Sequence, residues 1–115
     1  MPKPTDDSTF LKEALKACAN PHRLAILTWL ADPKQHFPPQ TDGDLVQDGV
    51  CVGFITDKLG LTQPTVTTHL QVLAEANLVS SKKIKNWVYY RLNTAHVSSF
   101  LRDLSKLFSQ GIVEE

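Results

Sequence analysis

Apolar side chains recur every three or four residues along most of the chain, the spacing that gives a helix one buried face. This pattern predicts four helices, over residues 8–19, 22–31, 51–59 and 61–73, and a fifth from residue 94 to just before residue 111. From residue 79 to residue 92 the apolar positions alternate instead, around the polar pair Lys85-Asn86, which predicts a β-hairpin. We therefore expect a mainly α fold with a small β-hairpin (α+β), in the order α-α-α-α-β-β-α.

Residues 32–50, here called the acidic segment, break the helical pattern. They contain three prolines, two glycines and four aspartates but only one lysine, and no sustained apolar period. This composition predicts an exposed loop, longer than most connections in compact domains. With 115 residues and 42% apolar content, the chain suits one domain. We expect that domain to span residues 8–110, between a flexible N-terminal tail (1–7) and a C-terminal tail (111–115).

Composition excludes several classes of protein. The sequence has no secretory leader pattern and no apolar run near eighteen residues, and its two cysteines cannot form a disulfide framework. We therefore expect a cytoplasmic protein with no membrane partner. The nucleophile, phosphate-loop and zinc-protease motifs of common enzymes are also missing, so we do not expect an enzyme.

The fourth predicted helix carries the most informative side chains. The third predicted helix ends at Gly60, and three residues later a new helix begins with Val66, Leu70 and Leu73 on its inner side. This arrangement is typical of a helix-turn-helix, whose second helix contacts bases in the major groove. Short polar side chains occupy the other side and are the candidate DNA-binding residues, although a solvated helix face is the alternative: Thr62, Gln63, Thr65, Thr67, Thr68 and Gln71.

The predicted hairpin is basic. Between residues 62 and 92 the chain has four cationic residues and one acidic residue, whereas the whole chain has twelve of each charge sign. The acidic segment supplies part of the balance, so a neutral chain has a basic half that contains the helix-turn-helix. Candidate contacts to phosphates or the minor groove are Lys82, Lys83, Lys85 and Asn86, with an ordinary soluble turn as the alternative.

Four segments, in this order, resemble the ArsR/SmtB family of winged-helix transcriptional regulators: Ala19–Leu27, Leu59–Leu70, Leu73–Val79 and Trp87–Leu92. The resemblance implies a winged helix-turn-helix with Gln63–Gln71 as the recognition helix and Lys82–Tyr90 as the wing. It also implies a homodimer, formed by the first and last helices, that binds successive major grooves of double-stranded DNA. From it we expect a repressor that binds an inverted-repeat operator and is released by an unidentified signal.

The resemblance does not extend to the metal sites of the family. Where soft-metal sensors carry a CxC-type thiol pair, this chain reads Cys51-Val52-Gly53-Phe54. At the second family site only His96 fits, because other ligand positions hold Thr94, Leu107 and Gln110. We therefore expect no metal and no cofactor, with Cys51 as a candidate reactive thiol or a small buried residue. The signal is open between thiol oxidation, an unrecognised metal site, a small organic ligand and no effector.

Two other functions compete with the repressor hypothesis. One is a winged-helix protein-interaction module without operator specificity, because a fold does not fix a function. The other is a metal sensor with a non-standard site in the acidic segment, from His36, Asp42, Asp44 and Asp48.

Several remaining polar and aromatic residues have simpler interpretations. We expect His69 to be a hydrogen-bonded structural residue and Cys18 to be part of the core. Trp87, Tyr89 and Tyr90 are expected to pack the wing on the body, with stacking on bases as the alternative.

Overall fold

The structure, a computed structural model, describes residues 6–112, and the side chains of residues 9–112. The helices are α1 (Asp6–Cys18), α2 (Pro21–Ala31), α3 (Pro33–His36), α4 (Val52–Leu59), α5 (Gln63–Glu75) and α6 (Thr94–Phe108), and a 3₁₀ turn (Ser109–Gly111) follows α6. The strands are β1 (Val50–Cys51), β2 (Val79–Ile84) and β3 (Trp87–Leu92). The predicted mainly α fold with a hairpin is confirmed.

The predicted tails fall largely outside the described residues. Helix α1 begins at Asp6, two residues before the predicted start, so residues 6 and 7 belong to the helix rather than to a tail. Helix ends are weakly encoded, which explains an error of this size. Of the predicted tail 111–115, only residues 111 and 112 are described.

The sheet has three antiparallel strands rather than the predicted two. Strand β3 lies in the middle, in the order β1-β3-β2. Its pairing with β2 runs from Val79↔Leu92 to Ile84↔Trp87, and β1 pairs Val50 with Tyr90 and Cys51 with Tyr89. A two-residue strand is too short to show an alternating pattern, so no sequence pattern indicated β1.

The inner side of α5 lies at the centre of the core. Val66, Leu70 and Leu73 are fully buried, together with Ile26 of α2 and Ile55 of α4. These contacts fix the face that α5 turns inward and therefore also the face that it turns to solvent.

Local signals define the ends of two helices. Asn20 caps α2, because its Oδ1 accepts hydrogen bonds from the backbone N–H groups of His22 (2.9 Å) and Arg23 (3.1 Å). Helix α5 ends in a Schellman motif, in which Asn77 has a φ of +62° and the N–H of Leu78 donates to the Leu73 carbonyl at 2.9 Å. The second motif turns the chain directly into β2 and so sets the position of the wing relative to α5.

The acidic segment is folded against the body, so the prediction of an exposed loop is partly wrong. It contains α3, and Phe37 and Leu45 are buried in the core. Gly49, with a φ of +105°, passes so close to β3 that a Cβ atom there would lie 2.4 Å from the Tyr90 carbonyl oxygen. The buried apolar residues of the segment are too sparse to form a period, which is why the sequence pattern missed them.

Across residues 6–112, every helix is too short or too polar to cross a lipid bilayer.

Candidate nucleic-acid interface

A tight turn joins α4 to α5. Gly60 ends α4 in the left-handed conformation, with a φ of +72°, and its N–H donates to the Thr56 carbonyl at 3.0 Å. Leu61 is partly buried in the turn, and Thr62 is the N-cap residue of α5. The connection is the predicted helix-turn-helix, with Pro64 in the first turn of the second helix.

The outer face of α5 is polar and uncharged over residues 62–71, and the acidic Glu75 is exposed at the C-terminal end of the helix. The uncharged polar residues are Thr62, Gln63, Thr65, Thr68 and Gln71, all exposed. Thr67, which the sequence pattern grouped with them, is only partly exposed and lies towards the edge of this face. The recognition helix predicted from the sequence therefore presents five of its six candidate residues to solvent.

The two glutamines of this face have unused hydrogen-bonding groups. No hydrogen bond within residues 9–112 involves the side-chain amide of Gln63 or Gln71. Thr62 Oγ1 donates to Thr65 Oγ1 at 3.0 Å, and Thr68 Oγ1 donates to the Pro64 carbonyl at 3.0 Å. A side-chain amide can both donate to and accept from the edge of an adenine, so the face offers the groups that direct readout of bases requires.

An arginine that the sequence interpretation passed over ties α5 to the rest of the domain. Arg23 Nε donates to the Ala17 carbonyl at 2.7 Å, at the C-terminal end of α1, and Arg23 Nη1 lies 3.2 Å from His69 Nδ1 on α5. The His22 ring lies 5.6 Å from the His69 ring. The arginine therefore links α1, α2 and α5, which no local sequence pattern could indicate.

This contact determines the state of His69. Because Arg23 donates to Nδ1, that nitrogen is the acceptor of a neutral imidazole. Burial lowers the pKa of His69, and the nearby charges of Arg23 and His22 lower it further. The predicted structural hydrogen bond of His69 is present, and it connects α5 to α2.

The wing is the β2–β3 hairpin, and two of its lysines bind the acidic segment. Lys82 Nζ lies 2.5 Å from Asp48 Oδ1, and Lys85 Nζ lies 3.1 Å from Asp42 Oδ1. Lys85 adopts a φ of +57° in the turn. The hydrogen bond from Lys82 is the largest cause of a lowered pKa at Asp48. The candidate phosphate contacts of the wing are thus partly neutralised within the same chain.

The other basic groups differ in their surroundings. Arg91 Nη1 donates to the Gln47 carbonyl at 2.9 Å, which adds a third link between the hairpin and the acidic segment. Lys83 and Asn86 are exposed, and neither side chain makes an ion pair or hydrogen bond within the described part of the chain. They are the wing residues most directly available to a phosphate backbone.

The acidic segment holds its carboxylates in a defined shape. Gln40 accepts from the Cys51 N–H at 2.7 Å and donates to the Gly49 carbonyl at 3.0 Å, bracing the segment on β1. Asp48 Oδ2 accepts from the Asp44 N–H at 2.7 Å and closes a turn. The aspartates that contact the wing are therefore held in place by the hydrogen bonds of a folded segment.

The aromatic residues of β3 divide into two groups. Tyr89 and Tyr90 are buried, as predicted, but Trp87 is 51% exposed, so its predicted packing role is wrong. Strand β1 reaches only as far as Tyr89, and Trp87 pairs with Ile84 beside the turn, where no third strand covers it.

The cysteines are unpaired and partly buried. Both Cys18 and Cys51 carry free thiols, and burial raises the pKa of the Cys18 thiol. No group of three or more His, Cys, Asp or Glu side chains converges on a common point within the described residues. Two of the aspartates suggested for a loop metal site, Asp42 and Asp48, contact lysines instead.

Comparisons with known proteins agree with this geometry. The model of the bacterial regulatory proteins of the arsR family matches residues 45–81, which include α4, α5 and the start of β2. The chain is 43% identical over 79 residues to YbzH of Bacillus subtilis, an uncharacterized HTH-type transcriptional regulator, covering 69% of this chain and 79% of that protein. It is 28% identical over 102 residues to the transcriptional repressor SmtB of Mycobacterium tuberculosis, covering 89% and 64%.

A solved structure extends the similarity to the whole fold. HlyU from Vibrio cholerae superposes with a TM-score of 0.62 at 27% identity, covering 92% of this chain and 99% of the other. The chain belongs to the ArsR family of bacterial regulatory proteins. It is a DNA-binding transcriptional regulator with a winged helix-turn-helix, and it is not an enzyme.

Proposed function

We propose that the protein is a homodimeric repressor that binds an inverted-repeat operator, with α5 of each protomer in a major groove and each wing on the flanking backbone. Its site of action is the cytoplasm, where bacterial operators lie. Thr62, Gln63, Thr65, Thr68 and Gln71 are the proposed contacts of the helix, with Thr67 at their edge, and Lys82, Lys83, Lys85 and Asn86 are those of the wing.

One observation carries this proposal. The outer face of α5 has five exposed, uncharged polar residues directly opposite a fully buried apolar stripe. Threonine is a poor helix former, so helix stability alone does not favour this composition. Glutamine amides and threonine hydroxyls and methyls match the groups on base edges, which explains the composition.

The dimer rests on apolar side chains that the monomer leaves exposed. They lie on α1, on α6 and just after α6, and their exposure ranges from 40% to 62%: Leu15, Leu101, Leu107, Phe108 and Ile112. Helices α1 and α6 pack together, and the Phe10 ring lies 6.0 Å from the His96 ring. Large apolar side chains exposed together mark association surfaces, and a second copy of the chain offers the same residues to cover them.

We infer repression rather than activation from the similarity to the repressor SmtB. Another relative, HlyU from Vibrio cholerae, is named a transcriptional activator. Release from the operator requires a signal that binds the DNA-competent and DNA-incompetent states of the dimer with different affinities. The difference between the two binding free energies is typically about 1–3 kcal/mol. A reporter gene behind the upstream region of the protein's own gene tests the direction. We expect higher expression when the protein is deleted, whereas lower expression would show an activator.

A matched pair of threonine variants tests the role of α5. Thr68 and Thr28 are both exposed, and each hydroxyl donates to the carbonyl four residues earlier, at 3.0 and 2.9 Å. Thr68→Ala and Thr28→Ala should therefore change folding stability alike. Only Thr68→Ala should weaken binding to operator DNA, by about 5–30-fold for a contact of 1–2 kcal/mol. Equal affinities of both variants for DNA would contradict the proposed role of this face.

A second pair tests the dimer. Leu107→Glu introduces a charge among the exposed apolar residues of α6, whereas Val46→Glu introduces the same charge at a 51% exposed valine of the acidic segment. Sedimentation velocity should show a monomer or a strongly weakened dimer for Leu107→Glu and a dimer for Val46→Glu. A stable dimer for both variants would place the interface elsewhere.

A further inference from the structure

A cavity of about 380 Å³ lies on the side of the domain where α2 ends and α6 begins. The acidic segment forms one wall of it, through Leu45 and Val46, and β3 and the first residues of α6 form the others. Its volume is within the range of small-molecule sites. None of the proposed contacts to DNA lines it, since neither α5 nor the hairpin turn contributes a lining residue, although other residues of β2 and β3 do.

The floor of the cavity is apolar and rigid. Leu30, Leu45 and Val50 line it and are at most 9% exposed, because each also packs in the main core. Leu92 adds to the apolar surface. A ligand with a short hydrocarbon body would bury that body here without moving the core.

A buried tyrosine provides the first polar group. Tyr90 lines the cavity and is only 9% exposed, yet its hydroxyl makes no hydrogen bond within the described residues. Every fully buried side-chain nitrogen or oxygen of those residues has a hydrogen-bond partner. Because the Tyr90 hydroxyl has none, it must be accessible, and the cavity is the accessible space that Tyr90 lines. A tyrosine hydroxyl is a proton donor at neutral pH, and burial raises the pKa of Tyr90 further.

The remaining polar groups include further donors beside Asn93, whose Oδ1 accepts from the His96 N–H. Thr94 and Ala95 line the cavity at the first turn of the fifteen-residue helix α6, and their backbone N–H groups have no acceptor within the described residues. Arg91 and Ser80 also contribute to the lining. No aspartate or glutamate lines the cavity among residues 9–112, although Arg91 also donates to the Gln47 carbonyl and its charge acts on the nearby Asp48.

We propose that this cavity binds a small amphipathic organic carboxylate. Its hydrocarbon body packs on Leu45, Val46 and Leu92, and its carboxylate accepts hydrogen bonds from the Tyr90 hydroxyl and the first amides of α6, beside Arg91. This site does not depend on the proposed repressor function. The wall that Leu45 forms also continues into Asp48, the partner of Lys82, so a bound ligand contacts the segment that pairs with the wing.

Four probes of related structure separate the parts of the proposal. Hexanoate, 1-hexanol, hexylamine and acetate are titrated into the ¹⁵N-labelled protein, with backbone amide shifts recorded by NMR. We expect hexanoate to shift the amides of Thr94 and Ala95 and to bind about tenfold or more tightly than the other three, because a charged acceptor strengthens each hydrogen bond. Equal binding of hexanol would overturn the assignment of an anion, and no shift at these amides with any probe would overturn the site.

Matched variants test the assigned groups. Tyr90→Phe removes only the hydroxyl, and Arg91→Gln removes the charge together with the guanidinium hydrogen bond to the Gln47 carbonyl. Each should weaken hexanoate binding about 5–10-fold. Arg102→Gln, at an exposed arginine of α6 that bonds Ser98, is the control and should leave hexanoate affinity unchanged. Thermal unfolding of each variant verifies the fold. Unchanged affinity in both folded test variants, or an equal loss in the control, would contradict the proposed contacts.

Discussion

The contacts between the acidic segment and the wing should weaken DNA binding, because a lysine that contacts a phosphate must first leave its aspartate. Asp42→Asn and Asp48→Asn test this directly. Each substitution removes one negative charge, and the asparagine at residue 48 retains an oxygen that can accept the hydrogen bond from the Asp44 N–H. We therefore expect the fold of the segment to persist while Lys82 and Lys85 become available.

The expected size of the effect follows from the exposure of the two ion pairs. The side chains of Lys82 and Asp48 are 56% and 22% exposed, and those of Lys85 and Asp42 are 70% and 32% exposed. Exposed pairs of this kind change an equilibrium by about 1.5–5-fold each. A dimer contains both pairs twice, so we expect the double variant to bind operator DNA about tenfold or more tightly at low salt. The slope of log affinity against log salt should steepen by up to about one for each lysine freed.

Fluorescence anisotropy at several salt concentrations provides the assay. Asp32→Asn is the control, since this exposed aspartate at the start of the acidic segment makes no capping hydrogen bond and no ion pair with the wing. It removes one negative charge, against two in the double variant, and therefore reports the effect per charge of the general repulsion between protein and DNA. If the double variant gained no more affinity per charge than Asp32→Asn and kept the same salt slope, the acidic segment would not compete with DNA for the wing.

Other consequences concern stability. Burial first, and then the charges of Arg23 and His22, lower the pKa of His69 in the folded protein, so the unfolded chain binds more protons at this residue. The free energy of unfolding should therefore fall as the pH drops below about 6.5, and His69→Gln should reduce this dependence. An unchanged pH profile of thermal unfolding in the variant would refute the assignment. Gly49→Ala should lose more than about 2 kcal/mol, because a Cβ atom would lie 2.4 Å from a backbone oxygen. Gly60→Ala, at a φ of +72° with open space around it, should lose about 1–2 kcal/mol; equal losses in urea unfolding would contradict this difference.

Five of the six helices and the outer face of α5 were predictable because their signals are local. The spacing of Val66, Leu70 and Leu73 fixes which side of α5 is buried, and the polar side follows from it. Gly60 and Asn20 mark helix ends through backbone conformation and capping, which depend on single residues. Such features need no knowledge of the rest of the fold.

The acidic segment and the Arg23 contact were not predictable in the same way. Leu45 is buried and Gly49 passes close to β3 only because the distant β3 strand is there to receive them. Asp48 and Lys82 are thirty-four residues apart, and Arg23 and His69 are forty-six apart. Contacts at such separations leave no periodic pattern in the sequence. The charge composition therefore indicated an acidic segment and a basic hairpin, but not that the two are in contact.

Binding of the purified protein to the DNA upstream of its own gene, compared with a scrambled duplex of equal length and composition, tests the central claim most directly. We expect a preference of roughly 10³-fold or more for the upstream DNA at physiological salt. Equal affinity for the two duplexes, with the same salt slope, would contradict an operator-specific repressor at that site.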